Sequence, residues 1–213
     1  MLSTKEITAE LGRQVASQLP GFSWKNSSGR LHRVTNAGWQ AIVIEALTSG
    51  TRGFFTVQTF AHVRVDAIEA TYLPLHPFVD ASAAKLHPTL TANCAHLVRD
   101  RSLLGPFQSE ALVLKEFIPR YSVELRDSVI PWLEKYSSED ALFAGLIDAD
   151  PAKWITSDRL SRYPVLMAIS ARRRDWARFD ILKAEFDAYC EERHARVHKP
   201  LAEAMAKMRS EAL

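Results

Sequence analysis

His194 and His198 stand four residues apart in the run Glu-Glu-Arg-His-Ala-Arg-Val-His-Lys. Side chains at that spacing share one face of a helix, so both imidazoles can reach a single ion, with Glu191 on the same face. A zinc site needs three or four ligands, and no third is identifiable here. The glutamate that directly follows the first histidine in zinc proteases is also missing. The run reads as a solvated helix face, and no metal ligand is assigned.

Nucleophilic catalysis needs a serine or cysteine on a sharp turn beside a base. There is no Gly-x-Ser-x-Gly elbow. Cys94 and His96 are two apart in a segment that reads as a strand, where i and i+2 share a face, but a buried cysteine acting as a small hydrophobe is the commoner situation. With only eight glycines, the chain carries neither the Walker A nor the dinucleotide pattern, so no cofactor is expected. Asp148-Ala149-Asp150 has the form of a metal-binding DxD, and capping by Asp150 ahead of Pro151 explains it more simply. No catalytic residue is assigned.

The residues that stand out for binding lie in the segment 54–65. Phe55, Val57, Thr59, Ala61, Val63 and Val65 alternate with Phe54, Thr56, Gln58, Phe60, His62 and Arg64. Alternation of this kind is the signature of a strand with one buried face. Thr56, Gln58, Phe60, His62 and Arg64 then form a mixed polar and aromatic row on a rigid sheet, the kind of surface that serves recognition.

The elements that must hold this row can be read in order. Ser3 and Glu6 have capping-box spacing, and Ile7, Leu11, Val15 and Leu19 continue as an amphipathic helix ending before Pro20-Gly21. A short extended piece and turn lead into strands over 31–35, 39–47 and 54–65, with a further strand over 91–98. Residues 73–88 contain Pro74, Pro77 and Pro88 and are expected to be largely irregular. Near residue 120 the hydrophobic period changes from two to that of a helix. Residues 121–135 carry Val123, Leu125, Val129, Ile130 and Leu133, with Pro131 as a kink. Helices over 139–147, 164–171 and 175–197 follow, the last two forming a hairpin broken at Arg172-Arg173-Arg174, and a terminal helix follows Lys199-Pro200. The expected architecture is α+β: an N-terminal helix, an antiparallel sheet of four to five strands, and an all-helical second half. Residues 1–120 form the sheet part, and 121–213 the helical part, packed on the sheet as one domain.

Bulk properties narrow the function classes. Of 213 residues, 47% are hydrophobic and 24% charged, enough for a core and too apolar for disorder. The formal net charge is +2, and residues 171–213 hold ten Lys/Arg against eight Asp/Glu, so no one-signed patch marks a nucleic-acid partner. No apolar run has membrane-spanning length, no leader pattern opens the chain, and two distant cysteines make no disulfide framework. A cytoplasmic location is the expectation.

Several segments taken together resemble a family. Gly21-Phe22 precedes a polar turn and Leu31-His32-Arg33; an apolar strand is followed by Phe54-Phe55-Thr56-Val57; a strand ends near Arg99; and Ile130-Pro131-Trp132-Leu133 closes a helix begun at Leu125. This order resembles the bacterial domain-of-unknown-function family numbered 4304 over roughly residues 11–171, although the proline-rich stretch 73–88 is longer than in that family. The resemblance implies no catalytic residue. It implies a small α+β domain of the kind found beside bacterial toxin systems, where such domains act as immunity proteins.

The expectation is therefore a binding protein, of toxin-immunity type, with another protein as partner. The alternative is a hydrolase-like enzyme whose site is assembled from His62, His96 and nearby acids far apart in sequence.

Overall fold

A computed structural model describes residues 3–48, 54–77, 79–107, 117–148, 155, 159–192 and 199–211. The chain is α+β, with an N-terminal helix, a five-stranded antiparallel sheet and a helical C-terminal half. It divides into two compact units, one made of Met1–Val63 and Thr91–Tyr136, the other of Arg64–Leu90 and Ser137–Leu213. The chain passes from the first to the second between Val63 and Arg64, returns between Leu90 and Thr91, and passes over again between Tyr136 and Ser137.

The first unit opens with helix α1 (Thr4–Gln18). Its capping box is complete: Glu6 N–H donates to Ser3 Oγ at 3.3 Å, and Ser3 N–H donates to Glu6 Oε2 at 2.8 Å. Ile7, Leu11 and Val15 are buried along one stripe. The sheet follows in simple order, β1 (Ser23–Lys25), β2 (Arg30–Thr35), β3 (Gly38–Thr48), β4 (Phe55–Val65) and β5 (Leu90–Asn93). Trp24 pairs with Leu31, and Leu31 with Ile42, placing these three side chains on one face. That face carries α1: Gly12 lies directly against the Trp24 indole, and Thr8 Oγ1 accepts the Ala46 N–H at 2.9 Å. Helix α4 (Ile118–Glu124) packs on α1 and buries Tyr121, whose hydroxyl bonds Thr59 of β4.

The expected kink at Pro131 takes a specific form. Five residues before α5 (Ile130–Lys135) wind as a π-turn, Leu125–Val129, in which Ile130 N–H reaches back to the Leu125 carbonyl. Proline has no N–H and crowds the preceding turn, so the helix widens there and continues rather than ending.

The second unit begins at the end of β4. Helix α2 (Asp66–Tyr72) starts directly from the strand. Residues 73–88, expected to be irregular, hold a short 3-10 turn at Leu73–Leu75 and one helical turn, α3 (Ala81–Ala84), whose cap Asp80 accepts from the backbone of Ser82 and Ala83 at 2.8 Å each. After α6 (Glu139–Leu146) comes the hairpin of α7 (Arg159–Arg172) and α8 (Trp176–Glu192), then α9 (Lys199–Glu211). Phe179, Leu182, Phe186 and Cys190 form the buried stripe of α8, and Tyr163 of α7 stacks near Phe186 with ring centroids 5.4 Å apart. The hairpin turns at Arg174, which takes φ +56°, while Asp175 N–H reaches the Ser170 carbonyl at 2.9 Å. The basic run here is largely neutralised locally. Arg172 pairs with Glu139 at 2.8 Å, and Arg173 with Glu139 and Asp140 at 3.2 and 2.6 Å, joining the end of α7 to the start of α6.

Candidate functional site

Strand β4 alternates as its sequence predicts. Phe55, Val57, Thr59, Ala61, Val63 and Val65 are buried; Thr56, Phe60 and His62 are half-buried and Gln58 is exposed. Since Thr59 meets Tyr121 on the helix-bearing side, Thr56, Gln58, Phe60 and His62 occupy the other face of the sheet. Arg64, the last of the predicted row, belongs to the second unit and is engaged there by Asp66 and the His87 carbonyl.

The same face continues onto the neighbouring strands. The β2–β3 register pairs Arg30 with Val43, His32 with Ala41 and Val34 with Trp39, and β1 sets Lys25 opposite Arg30. Two of the large apolar side chains left exposed, Val34 at 79% and Leu47 at 39%, lie on it. At its centre the Arg30 guanidinium rests over the Trp39 ring, 4.7 Å from the centroid, and the His32 ring lies 5.7 Å from the same indole. Arg30 is only 8% exposed, and its Nε has no hydrogen-bond partner. Burial lowers the His32 pKa below the ordinary imidazole value, and the charges of Arg30 and Lys25 push it the same way. Against these cations stands Glu45 of β3, an exposed acid on the same face. The surface is cationic, aromatic and partly apolar, a composition typical of recognition surfaces.

Compared with known protein families, curated proteins and solved structures, the chain matches none.

A second constellation sits in the second unit. Glu69, on α2, is 0% exposed. Its Oε2 lies 3.0 Å from His87 Nδ1, its Oε1 accepts from the Tyr72 hydroxyl at 3.2 Å, and Arg64 Nη1 stands 4.0 Å away. Arg64 also donates to Asp66 at 2.5 Å and to the backbone carbonyls of Ala84 and His87 at 2.5 and 2.9 Å. It thereby ties the end of β4 to the segment carrying His87. Tyr72 is held well above the ordinary phenol value, first by burial and then by the Glu69 charge. His76, whose ring is 5.8 Å from that of His87, is lowered by burial and by the His87 charge, with Glu69 opposing. A cavity of about 520 Å³ is lined by Arg64, Glu69, Leu73, Pro74, Val79 and Ala84 among others.

Other sequence candidates fare differently. The strand expected over 91–98 stops at Asn93, because the Asn93 side chain accepts from Ala95 N–H at 2.9 Å and turns the chain into a 3-10 helix, Cys94–His96. Cys94 and His96 therefore do not share a strand face. Cys94 is fully buried and its thiol is pushed up to about 12, which leaves it inert, while His96 is exposed. His62 and His96 sit on different elements, β4 and that 3-10 turn. His194 and His198 lie outside the described residues, as do Ala149 and Asp150. Among the described residues no group of three metal-ligating side chains forms, and no helix is long and apolar enough to cross a membrane. Sequence reasoning passed over Arg30, Glu69 and His87. The one available signal was a glutamate three residues before Tyr72, beside the apolar Ile68.

Proposed function

We propose that this protein is an interaction protein that docks a partner protein on the sheet face bearing Gln58, Phe60, His62, Lys25, Arg30 and His32. The observation that carries the reading is Arg30: a guanidinium buried over Trp39 at the centre of a cationic face, without a carboxylate partner among the described residues. Aromatic and arginine side chains surrounded by half-exposed polar groups make favourable docking centres. The resemblance to the bacterial family named above favours a toxin as the partner, with this chain as its immunity protein.

The reading is tested by placing a photo-cross-linking residue at Gln58, on the face, and separately at Ser17, exposed near the end of α1, which packs on the other face. In lysate of the native host, a discrete cross-linked species from the Gln58 position only, weakened by salt, is the expected result. Identical products from both positions, or none from either, would refute it.

The His87–Glu69 pair favours a second reading, a hydrolase-like enzyme. A carboxylate on Nδ1 orients the ring and leaves Nε2 to accept a proton, and Arg64 borders an adjoining cavity. Ester hydrolysis that survives His87→Gln would dispose of this reading.

A further inference from the structure

Four arginines in the described residues are well withdrawn from solvent, and three have their Nε satisfied. Arg33 Nε donates to Gln40 at 2.6 Å and its Nη2 meets Glu134 at 3.0 Å. Arg64 Nε donates to Asp66 at 2.5 Å. Arg162, 4% exposed, donates from Nε to the Leu146 carbonyl at 2.8 Å. Arg30 differs from all three: its Nε is sealed from solvent and meets no acceptor. Across β3 it meets the apolar Val43; its polar neighbours on the same face are Lys25, directly across the β1–β2 pairing, and His32, two residues on. Both are basic.

Burying a cation without an opposite charge is unfavourable, and folding usually answers it with a carboxylate or a carbonyl. Here Glu45, the exposed acid of the same face, makes no ion pair with it among the described residues, and the contact the guanidinium does make is with the Trp39 ring, which attracts its plane and fixes its orientation. With one face on the indole and Nε enclosed, the hydrogen-bonding capacity that remains is the paired Nη end. That end is a planar fork that matches the two oxygens of a carboxylate. The same stacking holds the fork in place before anything binds, so little side-chain entropy is lost on binding.

We propose that Arg30 is the receptor for an aspartate or glutamate side chain of the partner, which caps its Nη groups while Trp39 backs the guanidinium. This rests on the docking reading above and names the chemistry of the contact. Lys25, exposed at the rim, adds long-range attraction for an acidic surface, and Val34 and Leu47 supply apolar contact around it. The docked surface is therefore an acidic protein surface with at least one carboxylate projecting from an otherwise apolar patch.

The test is a titration of the isotope-labelled protein with a glutamate-rich peptide, its glutamine counterpart and sodium sulfate. The readouts are the Nε–H resonance of Arg30 and the indole fluorescence of Trp39. Shifts in both with the glutamate peptide, absent with the glutamine peptide and weak with sulfate, are expected. Arg30→Met and Arg30→Lys should each weaken the glutamate peptide roughly tenfold or more, the loss of one charge-assisted fork. Arg30→Met should also melt no lower than the wild type, because it removes an unpaired buried charge. Unchanged resonances with the glutamate peptide, or equal shifts with sulfate, would overturn the proposal. The wild-type titration decides even where a variant fails to fold. A blank titration together with a specific Gln58 cross-link would sink this inference and leave docking on the face standing; failure of both removes both.

Discussion

His87 Nδ1 lies 3.0 Å from Glu69 Oε2, and the two residues are 18 apart in sequence. Glu69 is fully buried, and Tyr72, His87 and Arg64 supply the hydrogen bonds and charge that offset its desolvation. Removing one member of such a group costs more than the group contributes, since the others are left desolvated. Glu69→Ala should destabilise the protein by about 3–5 kcal/mol. Glu69→Gln keeps the shape and one acceptor and should cost about 1–3 kcal/mol. Urea denaturation measures both, and a Glu69→Ala loss within about 0.5 kcal/mol of zero would show that the group is solvated after all.

The contrast between β4 and this cluster shows what a sequence discloses. The buried row Phe55, Val57, Thr59, Ala61, Val63 and Val65 was legible because side chains on a strand obey a fixed period of two. The capping box of Ser3 and Glu6 was legible because both partners lie within one helical turn. Glu69 and His87 were not, because they meet through the turns at Leu73–Leu75 and Ala81–Ala84, whose path no periodicity encodes. β5 came out shorter than expected for a similar reason: one side-chain bond from Asn93 outweighs the weak preference of the following residues for a strand. Arg30 gave no signal at all. An arginine at the start of a strand is ordinarily solvated; the register pairs Arg30 with Val43 and sets Trp39 opposite Val34, so only the reach of two long side chains along the face brings guanidinium and indole together.

Acid should weaken the fold before its carboxylates titrate. His32 and His76 both have pKa values lowered in the native state, chiefly by burial, so they resist protonation there. Unfolded, each takes up a proton near the ordinary value of about 6.5. Between the lowered native value and about 6.5 the unfolded chain binds more protons, so stability rises with pH across that window. The contribution is fully present above the unfolded value and is lost as pH falls below it. The denaturation midpoint should therefore decline from about pH 7.5 to about pH 5.5, and His32→Asn and His76→Asn should each flatten the decline. The lowered carboxyls of Glu6, Asp80 and Asp100 act in a separate window, below about pH 4. A midpoint that is level or rises on acidification to about pH 5.5 would contradict the assignment.

Gly12 is a mid-helix glycine, and on propensity alone an alanine there should stabilise α1 by about 1 kcal/mol. The packing reverses that expectation. A Cβ at position 12 would lie 2.2 Å from two carbons of the Trp24 indole, far inside van der Waals contact. Trp24 is anchored by the β1–β2 pairing opposite Leu31, which is itself fully buried, so the ring cannot retreat without moving the strand. Overpacking of this kind costs about 1–3 kcal/mol, which exceeds the gain in propensity. Gly12→Ala should therefore destabilise the protein, and near-ultraviolet circular dichroism should report a displaced tryptophan. A Gly12→Ala variant with a higher denaturation midpoint and an unaltered tryptophan spectrum would mean that α1 does not lie on the β1–β2 hairpin in solution, and the assignment of Arg30 and His32 to the opposite face would lose its support.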